Sequence, residues 1–133
     1  MPRDSRTRRS LEYGILPKEY LEVLPRLTRE EATILHGIIE RIREEDNEAL
    51  IKAGEYYGDS WCQRGGPGAW MVSCRKFDRL EQQLAKCDWN IFKLLVDDED
   101  IDGPLDDIED LCRYLILIRS FVQLVKEKKS AAS

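Results

Sequence analysis

The chain has little of what secreted, metal-binding and membrane proteins usually carry. It has one histidine, and its four cysteines are widely spaced without a C-x-x-C pair, which disfavours a zinc site and a disulfide framework. No apolar run approaches the roughly 20 residues of a membrane-spanning helix. The first residues lack the apolar segment of a secretory signal. We therefore expect a cytoplasmic protein with reduced thiols and no membrane partner.

Positive charge is scarce over most of the chain. The 133 residues have a formal net charge of −5, so general nucleic-acid binding is not the expected function. The charge is uneven, because arginines cluster in the first ten residues and carboxylates cluster between Asp97 and Asp110. The length fits one domain, and the apolar and charged fractions are typical of a soluble globular protein.

The alternating apolar and polar residues typical of strands are missing as well, and the spacing of apolar residues is that of helices. Apolar residues recur at the three- and four-residue spacing of helices, and no internal repeat is visible. The sequence therefore predicts an all-α fold, a bundle of three long helices and one short helix with an extended N-terminal arm. The predicted helices cover about residues 28–57, 67–86, 88–96 and 104–128.

Local signals mark the ends of these helices. Thr28 followed by Glu31 forms a capping box, and Gly58 is expected to end the first helix. Pro67 suits the first turn of the second helix because its missing N–H would be unpaired there. Asp88 is the expected N-cap of the short helix.

The predicted helical domain spans residues 28–128. It lies between an arm of residues 1–27 and a disordered tail of residues 129–133. Two prolines in the arm disfavour a helix, so its apolar side chains are expected to pack on the bundle or on a second subunit. These side chains are Leu16, Leu21 and Leu24.

Four of the eight glycines lie in one stretch, residues 58–71, which reads GDSWCQRGGPGAWM. Glycines before a helix leave backbone N–H groups open to an anion, and the helix dipole adds partial positive charge there. Basic residues follow on the next helix, so the stretch is a candidate phosphate cradle. The alternative is a tight turn followed by a solvated basic face. The candidate substrate-binding residues are Trp61, Arg64, Gly65, Gly66, Arg75, Lys76 and Arg79.

Two pairs of carboxylates have the spacing of a helical metal site. Glu45 and Glu48 lie three residues apart on the first long helix, as do Asp107 and Asp110 on the last. Glu45 falls within the apolar rhythm of its helix, where a carboxylate is costly unless it is paired or binds a cation. Four carboxylates on two facing helices suit Mg²⁺ or Mn²⁺, with Glu45 and Glu48 as the catalytic pair. The alternative is solvated charge in the first turns of helices.

The acidic block offers a different cation site. Residues 98–109 read DEDIDGPLDDIE, which matches the twelve-residue calcium loop of EF-hands. Ca²⁺ is therefore an alternative cofactor, and a solvated acidic loop is the other interpretation. The calcium ligands would be Asp98, Asp100, Asp102 and Glu109.

Four motifs resemble those of a group of small bacterial and phage proteins. They are YG-x-SW, RGG-x-GA, RK-x-DRLE and DDI-x-DL-x-RYL, which here begin at Tyr57, Arg64, Arg75 and Asp106. The pattern also resembles the nucleotide-modification-associated all-α domain of phages. More distantly, it is similar to the MazG-type nucleoside triphosphate pyrophosphohydrolases.

The last resemblance implies hydrolysis of a (d)NTP to its monophosphate and pyrophosphate, with Mg²⁺ held on two helix-borne carboxylate pairs. Glu45 and Glu48 match the first pair of that family, and Asp107 and Asp110 take the place of the second. The sequence therefore predicts a nucleotide-binding protein of a bacterial or phage-infected cell, whose enzymatic form is a metal-dependent pyrophosphohydrolase.

The alternative is a non-enzymatic interaction module, and a homo-oligomer is a further expectation. In the enzyme, Tyr57 or Trp61 would stack on the base, and basic side chains would neutralise phosphate charge. The two interpretations differ in geometry, because an enzyme needs its basic and acidic faces to meet in one pocket.

Overall fold

The computed structural model describes residues 27–98 and 102–132, which contain four α-helices and no strand. This confirms the predicted all-α fold with three long helices and one short one. Nearly all of the predicted arm lies outside the described residues, and so does the predicted packing of its leucines. The helices are α1, Arg29–Tyr57; α2, Gly65–Leu84; α3, Ile91–Val96; and α4, Pro104–Ala132.

The predicted ends of α1 are confirmed. The Thr28 hydroxyl accepts the N–H of Glu31 at 3.1 Å, and the Glu31 carboxylate accepts the N–H of Thr28 at 2.8 Å. This reciprocal pair satisfies two of the N–H groups that the first turn leaves free. Gly58 follows the helix with a φ of 58°, a conformation that favours glycine.

The short helix begins later than predicted. Asn90 caps α3, since its side-chain oxygen accepts the N–H of Lys93 at 3.1 Å. Asp88 is not the N-cap, because it and Trp89 have φ values of 55° and 60°, in the left-handed region. The chain turns at these two residues, and Asn90 is the next side chain able to accept a hydrogen bond from the helix.

Two other boundaries differ by a few residues. Helix α2 begins at Gly65, so Pro67 still lies in its first turn. Helix α4 continues to Ala132 and places residues 129–132 in a helix rather than in the predicted disordered tail. Lysine and alanine favour helices, and Lys129 in the last turn complements the partial negative charge of the helix end.

Contacts along the helices set their directions. Asp46 of α1 meets Arg113 of α4, and Trp61, after α1, meets Phe121 farther along α4. Helices α1 and α4 therefore run the same way. Helix α2 runs the opposite way, because Trp61 just before it meets Phe121, whereas its Lys76 pairs with the first turns of α4.

Few apolar side chains are buried in the described part of the chain. The buried ones are Ala69 and Leu80 on α2 and Pro104 at the start of α4. Leu115 and Val122, which helical spacing places in the core, are 43% and 47% exposed. None of the described helices is both long and apolar enough to cross a membrane. The core thus lies along α2, and much of the apolar surface of α1 and α4 is open.

Candidate functional site

A cavity of about 480 Å³ lies between α1, the Ser60–Cys62 turn, α2 and α4. Pockets that bind small molecules usually fall within this range of volume. The wall combines aliphatic side chains with three aromatic rings, two guanidinium groups and one carboxylate. The side chains that define its chemistry are Tyr57, Trp61, Arg64, Asp110, Arg113 and Tyr114.

Glycines set the backbone path where α2 begins, beside the cavity. Gly65 has a φ of 72°, which glycine adopts at little cost, and this turns the chain from Arg64 into the helix. A Cβ at Gly68 would lie 2.5 Å from the Cβ of Arg64, so only glycine lets α2 pass this close to that side chain. A Cβ at Gly66 would meet nothing within 4 Å. Gly65 and Gly68 are therefore needed by the local structure, and Gly66 is not.

An aromatic contact with α4 orients Trp61. Its ring centroid lies 6.1 Å from that of Phe121, with the ring planes at 84°. This edge-to-face arrangement is one that aromatic pairs prefer. The half-buried indole is thus held in one orientation at the cavity wall.

Arg113 reaches the cavity wall from α4 and is held by a buried carboxylate. Its Nε donates to Asp46 Oδ1 at 2.9 Å, and Asp46 is only 8% exposed. A charge-assisted hydrogen bond of this length compensates for burying the carboxylate. The contact joins α1 to α4 and fixes the plane of the guanidinium group.

A cluster of charged side chains joins α2 to α4. Lys76 Nζ lies 2.8 Å from Asp110 Oδ2 and 3.5 Å from Asp107 Oδ1, and Arg79 Nε lies 3.4 Å from Asp107 Oδ2. The hydrogen bond to Asp110 raises the pKa of Lys76 above its ordinary value. The Asp107 side chain is 2% exposed, and its Oδ1 has the Lys76 ion contact but no hydrogen-bond partner among the described residues. We call these four residues the charged cluster.

Burial raises the pKa of two other acidic groups on α4. It raises the pKa of the Asp106 carboxyl, and the charge of Asp110 raises it further. Burial also raises the pKa of the Cys112 thiol, with a smaller contribution from Asp46. A raised pKa disfavours the thiolate form that a reactive cysteine needs.

The structure brings the predicted basic and acidic residues together. Trp61, Arg64 and Asp110 line the cavity, and Lys76 and Arg79 pair with the α4 carboxylates of the charged cluster. The RK-x-DRLE and DDI-x-DL-x-RYL motifs therefore face each other. The remaining candidates on α2 lie outside the cavity wall: Gly65 and Gly66 in the first turn, and the exposed Arg75.

The buried carboxylate of α1 is Asp46, and Glu45 and Glu48 are exposed. Asp46 follows Ile42 by four residues and precedes Ala49 by three, which places all three on one helix face. Glu45 is turned about 100° from Asp46 at 3.6 residues per turn. The expectation that Glu45 occupies a core position is therefore wrong by one residue.

The described residues contain no group of three or more His, Cys, Asp or Glu side chains arranged to hold a metal ion. Lys76 and Arg79 already pair with Asp107 and Asp110, so a metal ion would have to compete with two cations for these carboxylates. This arrangement does not fit a four-carboxylate ligand set. The magnesium or manganese site stays a prediction.

The acidic loop is described only in part. Asp98 Oδ2 accepts the N–H of Leu105 at 2.9 Å, which satisfies one of the free N–H groups in the first turn of α4. Asp102 and Glu109 are exposed, and Asp100 lies outside the described residues. Asp98 thus caps α4, and calcium binding by this loop stays a prediction.

Two residues of the site, Asp46 and Arg113, are not among the sequence candidates. Asp46 carries a signal, since it is a carboxylate on the apolar face of α1. Arg113 belongs to the DDI-x-DL-x-RYL motif and lies three residues after Asp110, on the same face of α4. Reading the fourth motif as one helix face would have found it.

The chain matches no protein-family model, and no curated protein or solved structure matches it significantly. The family resemblance of the four motifs stays a prediction. Function is therefore inferred from the cavity and from the charged cluster beside it.

Proposed function

We propose that this protein binds a nucleotide in the cavity between α1, α2 and α4. The observation that carries the proposal is the composition of the wall, where aromatic rings and guanidinium groups line one pocket of about 480 Å³. A nucleotide joins a planar aromatic base to anionic phosphates, so it needs both kinds of partner at once.

The base is assigned to the aromatic part of the wall. Stacking between a base and an aromatic side chain contributes about 1–3 kcal/mol and tolerates any base. Trp61 is the main candidate because Phe121 already holds its ring, so little side-chain freedom is lost on binding. Tyr57 and Tyr114 are the other rings of the wall.

The phosphates are assigned to Arg64 and Arg113. A guanidinium group donates two parallel hydrogen bonds to phosphate oxygens, and Asp46 fixes the orientation of Arg113. Arg64 directly precedes α2, whose N-terminus adds partial positive charge. Lys76 is already hydrogen-bonded to Asp110, so it is assigned to the charged cluster and not to the phosphates.

The enzymatic form of this proposal is a Mg²⁺- or Mn²⁺-dependent (d)NTP pyrophosphohydrolase in the cytoplasm, as the motif resemblance implies. Of the four predicted metal ligands, Asp110 is the one that lines the cavity. Support for the enzymatic form therefore comes from Asp110 alone. For this reason nucleotide turnover is measured separately from nucleotide binding.

The test of binding is a melting-temperature panel of ribo- and deoxynucleoside triphosphates with EDTA, Mg²⁺, Mn²⁺ or Ca²⁺. At least one nucleotide should raise the melting temperature, because a ligand that binds only the folded state stabilises it. Trp61→Leu should weaken binding about tenfold or more, and Trp70→Leu should not. Trp70 is a matched control because it is 61% exposed and lies outside the cavity wall.

A second matched pair tests the phosphate assignment. Arg64→Gln should weaken nucleotide binding about tenfold or more, since a charged hydrogen bond is lost, whereas Arg75→Gln should have no effect. Both changes remove one positive charge, but Arg75 is exposed outside the cavity wall. Equal losses of nucleotide affinity for the two variants would show that binding depends only on overall positive charge. That result would overturn the proposed phosphate site.

Product analysis of the same samples separates the remaining outcomes. Metal-dependent release of pyrophosphate would support the enzymatic form. Binding without turnover would support a nucleotide-binding protein. If no nucleotide raises the melting temperature, the non-enzymatic interaction module becomes the better interpretation.

A further inference from the structure

We propose that a second copy of this chain covers the open apolar faces of α1 and α4 in a two-fold symmetric dimer. The first observation is the small core. In the described ranges only Ala69, Leu80 and Pro104 are buried apolar side chains, although a domain of this length usually buries about two thirds of its surface. Apolar surface that should form a core is therefore left open among the described residues.

The open surface of α1 is a continuous stripe. Leu35, Ile39 and Ile42 are 43%, 41% and 49% exposed, and Ile38 lies between them on the same face. Four residues farther along, this face carries the buried Asp46 that meets α4. The stripe is thus the unfilled continuation of a packed face, and we call it the α1 stripe.

The open surface of α4 is its second half. From Arg119 to Ala132 every residue is exposed except Val125, which is half-buried. Phe121, Val122 and Leu124 are about half exposed there, and a shallow surface groove in this region is lined by α4 alone. We call residues 119–132 the α4 end.

The two open surfaces have opposite charge. By helical spacing, the charged residues that border the α1 stripe are the acidic Glu31, Glu45 and Asp46 and the basic Arg43. The α4 end contains four basic side chains and one acidic one. Complementary charge of this kind favours association between the two surfaces and disfavours pairing of either with itself.

Symmetry brings the two surfaces together. Because α1 and α4 run in the same direction, the α1 stripe and the α4 end lie at opposite ends of one chain. A two-fold axis perpendicular to the helices inverts the partner, so that its α4 end lies beside the α1 stripe of the first chain. The same contact then forms twice, as in most homodimers.

Sedimentation equilibrium of the full chain tests the proposal. The wild type should have twice the 15.5 kDa mass of one chain, and the dimer should weaken at high salt because screening reduces the attraction between the surfaces. Ile42→Glu should give monomers. Ile51→Glu should remain a dimer, since Ile51 is 55% exposed on the opposite face of the same helix.

A charge exchange tests the pairing of the two surfaces. Reversal of Lys126, Lys128 and Lys129 to Glu should weaken the dimer at least tenfold. Adding Glu45→Lys, three residues after Ile42 at the edge of the α1 stripe, to the reversed chain should restore part of the lost affinity. Failure of this rescue would overturn the proposed arrangement.

A monomeric wild type would overturn the dimer. If Ile42→Glu then lowered the melting temperature of that monomer, the stripe would be covered within its own chain, with residues 1–26 as the occupant. If Ile51→Glu dissociated the dimer as fully as Ile42→Glu, the contact would lie elsewhere and the α1 stripe would be excluded.

Discussion

At the scale of single residues, neighbouring side chains of one type have different roles. Gly65 has a positive φ, whereas a Cβ at Gly66 would meet open space. Asp46 is buried against Arg113, whereas Glu45 is exposed. The role of a residue here therefore depends on its backbone angle or on the helix face that it occupies, and not on its type or motif alone.

The adjacent glycines give a direct comparison. Gly65→Ala should lower the free energy of unfolding by about 1 kcal/mol, because alanine is disfavoured in the left-handed region. Gly66→Ala should leave the stability unchanged or raise it slightly, since the unfolded chain loses freedom. Urea denaturation of both variants measures this, and a larger loss for Gly66→Ala would contradict the assigned backbone.

A pH-dependent prediction concerns Asp106. Burial raises the pKa of this carboxyl above its ordinary 3.8, so the folded state binds a proton more tightly than the unfolded state. The charged form therefore costs stability at neutral pH, and this cost disappears as the pH falls through the folded pKa and below 3.8.

Asp106→Asn should accordingly melt at a higher temperature than the wild type at pH 7, and at the same temperature below pH 3.8. Glu109→Gln on the exposed side of α4 is the matched control and should show no such convergence. A difference for Asp106→Asn that is constant with pH would show that the change acts through packing.

At the scale of elements, the charged cluster links α2 to α4. Asp107 receives both Lys76 and Arg79, and it is almost completely buried. Arg79 is half exposed, so solvent screens part of its contribution. The cluster thus fixes the register of the two helices that carry the third and fourth motifs.

Loss of the buried charge should be costly. Asp107→Asn should lower the free energy of unfolding by about 2–3 kcal/mol, because it leaves Lys76 with one carboxylate and disrupts the contact with Arg79. Asp78→Asn is the matched control on α2, since Asp78 is exposed, and it should change the stability by less than about 0.5 kcal/mol. Chemical denaturation of both variants is the measurement, and equal effects would exclude a structural role for the cluster.

At the scale of the whole molecule, the open faces of α1 and α4 make stability depend on association. If a second copy supplies the missing core, the melting temperature of the full chain should rise with protein concentration. Ile42→Glu should melt lower and lose this dependence, whereas Ile51→Glu should keep it. A melting temperature that does not change over a hundredfold range of wild-type concentration would show that the single chain is stable on its own.

The sequence by itself determined the features that depend on neighbours within about four residues. The helical spacing of apolar residues gave the all-α fold, and Thr28 with Glu31 gave the start of α1, because capping involves only adjacent turns. The shift of the α3 cap to Asn90 also has a local cause, in two left-handed residues that carry no distinctive sequence signal.

Only the tertiary structure decided which distant side chains meet. The basic motif on α2 and the acidic motif on α4 both stand out in the sequence, but their charges pair with each other through Lys76, Asp107 and Asp110. Arg113 gains its role from Asp46, which lies 67 residues earlier in the chain. Such contacts depend on helix direction and on the rotation of each helix about its axis. A rotation of about 100°, one residue, exchanges a buried carboxylate for an exposed one.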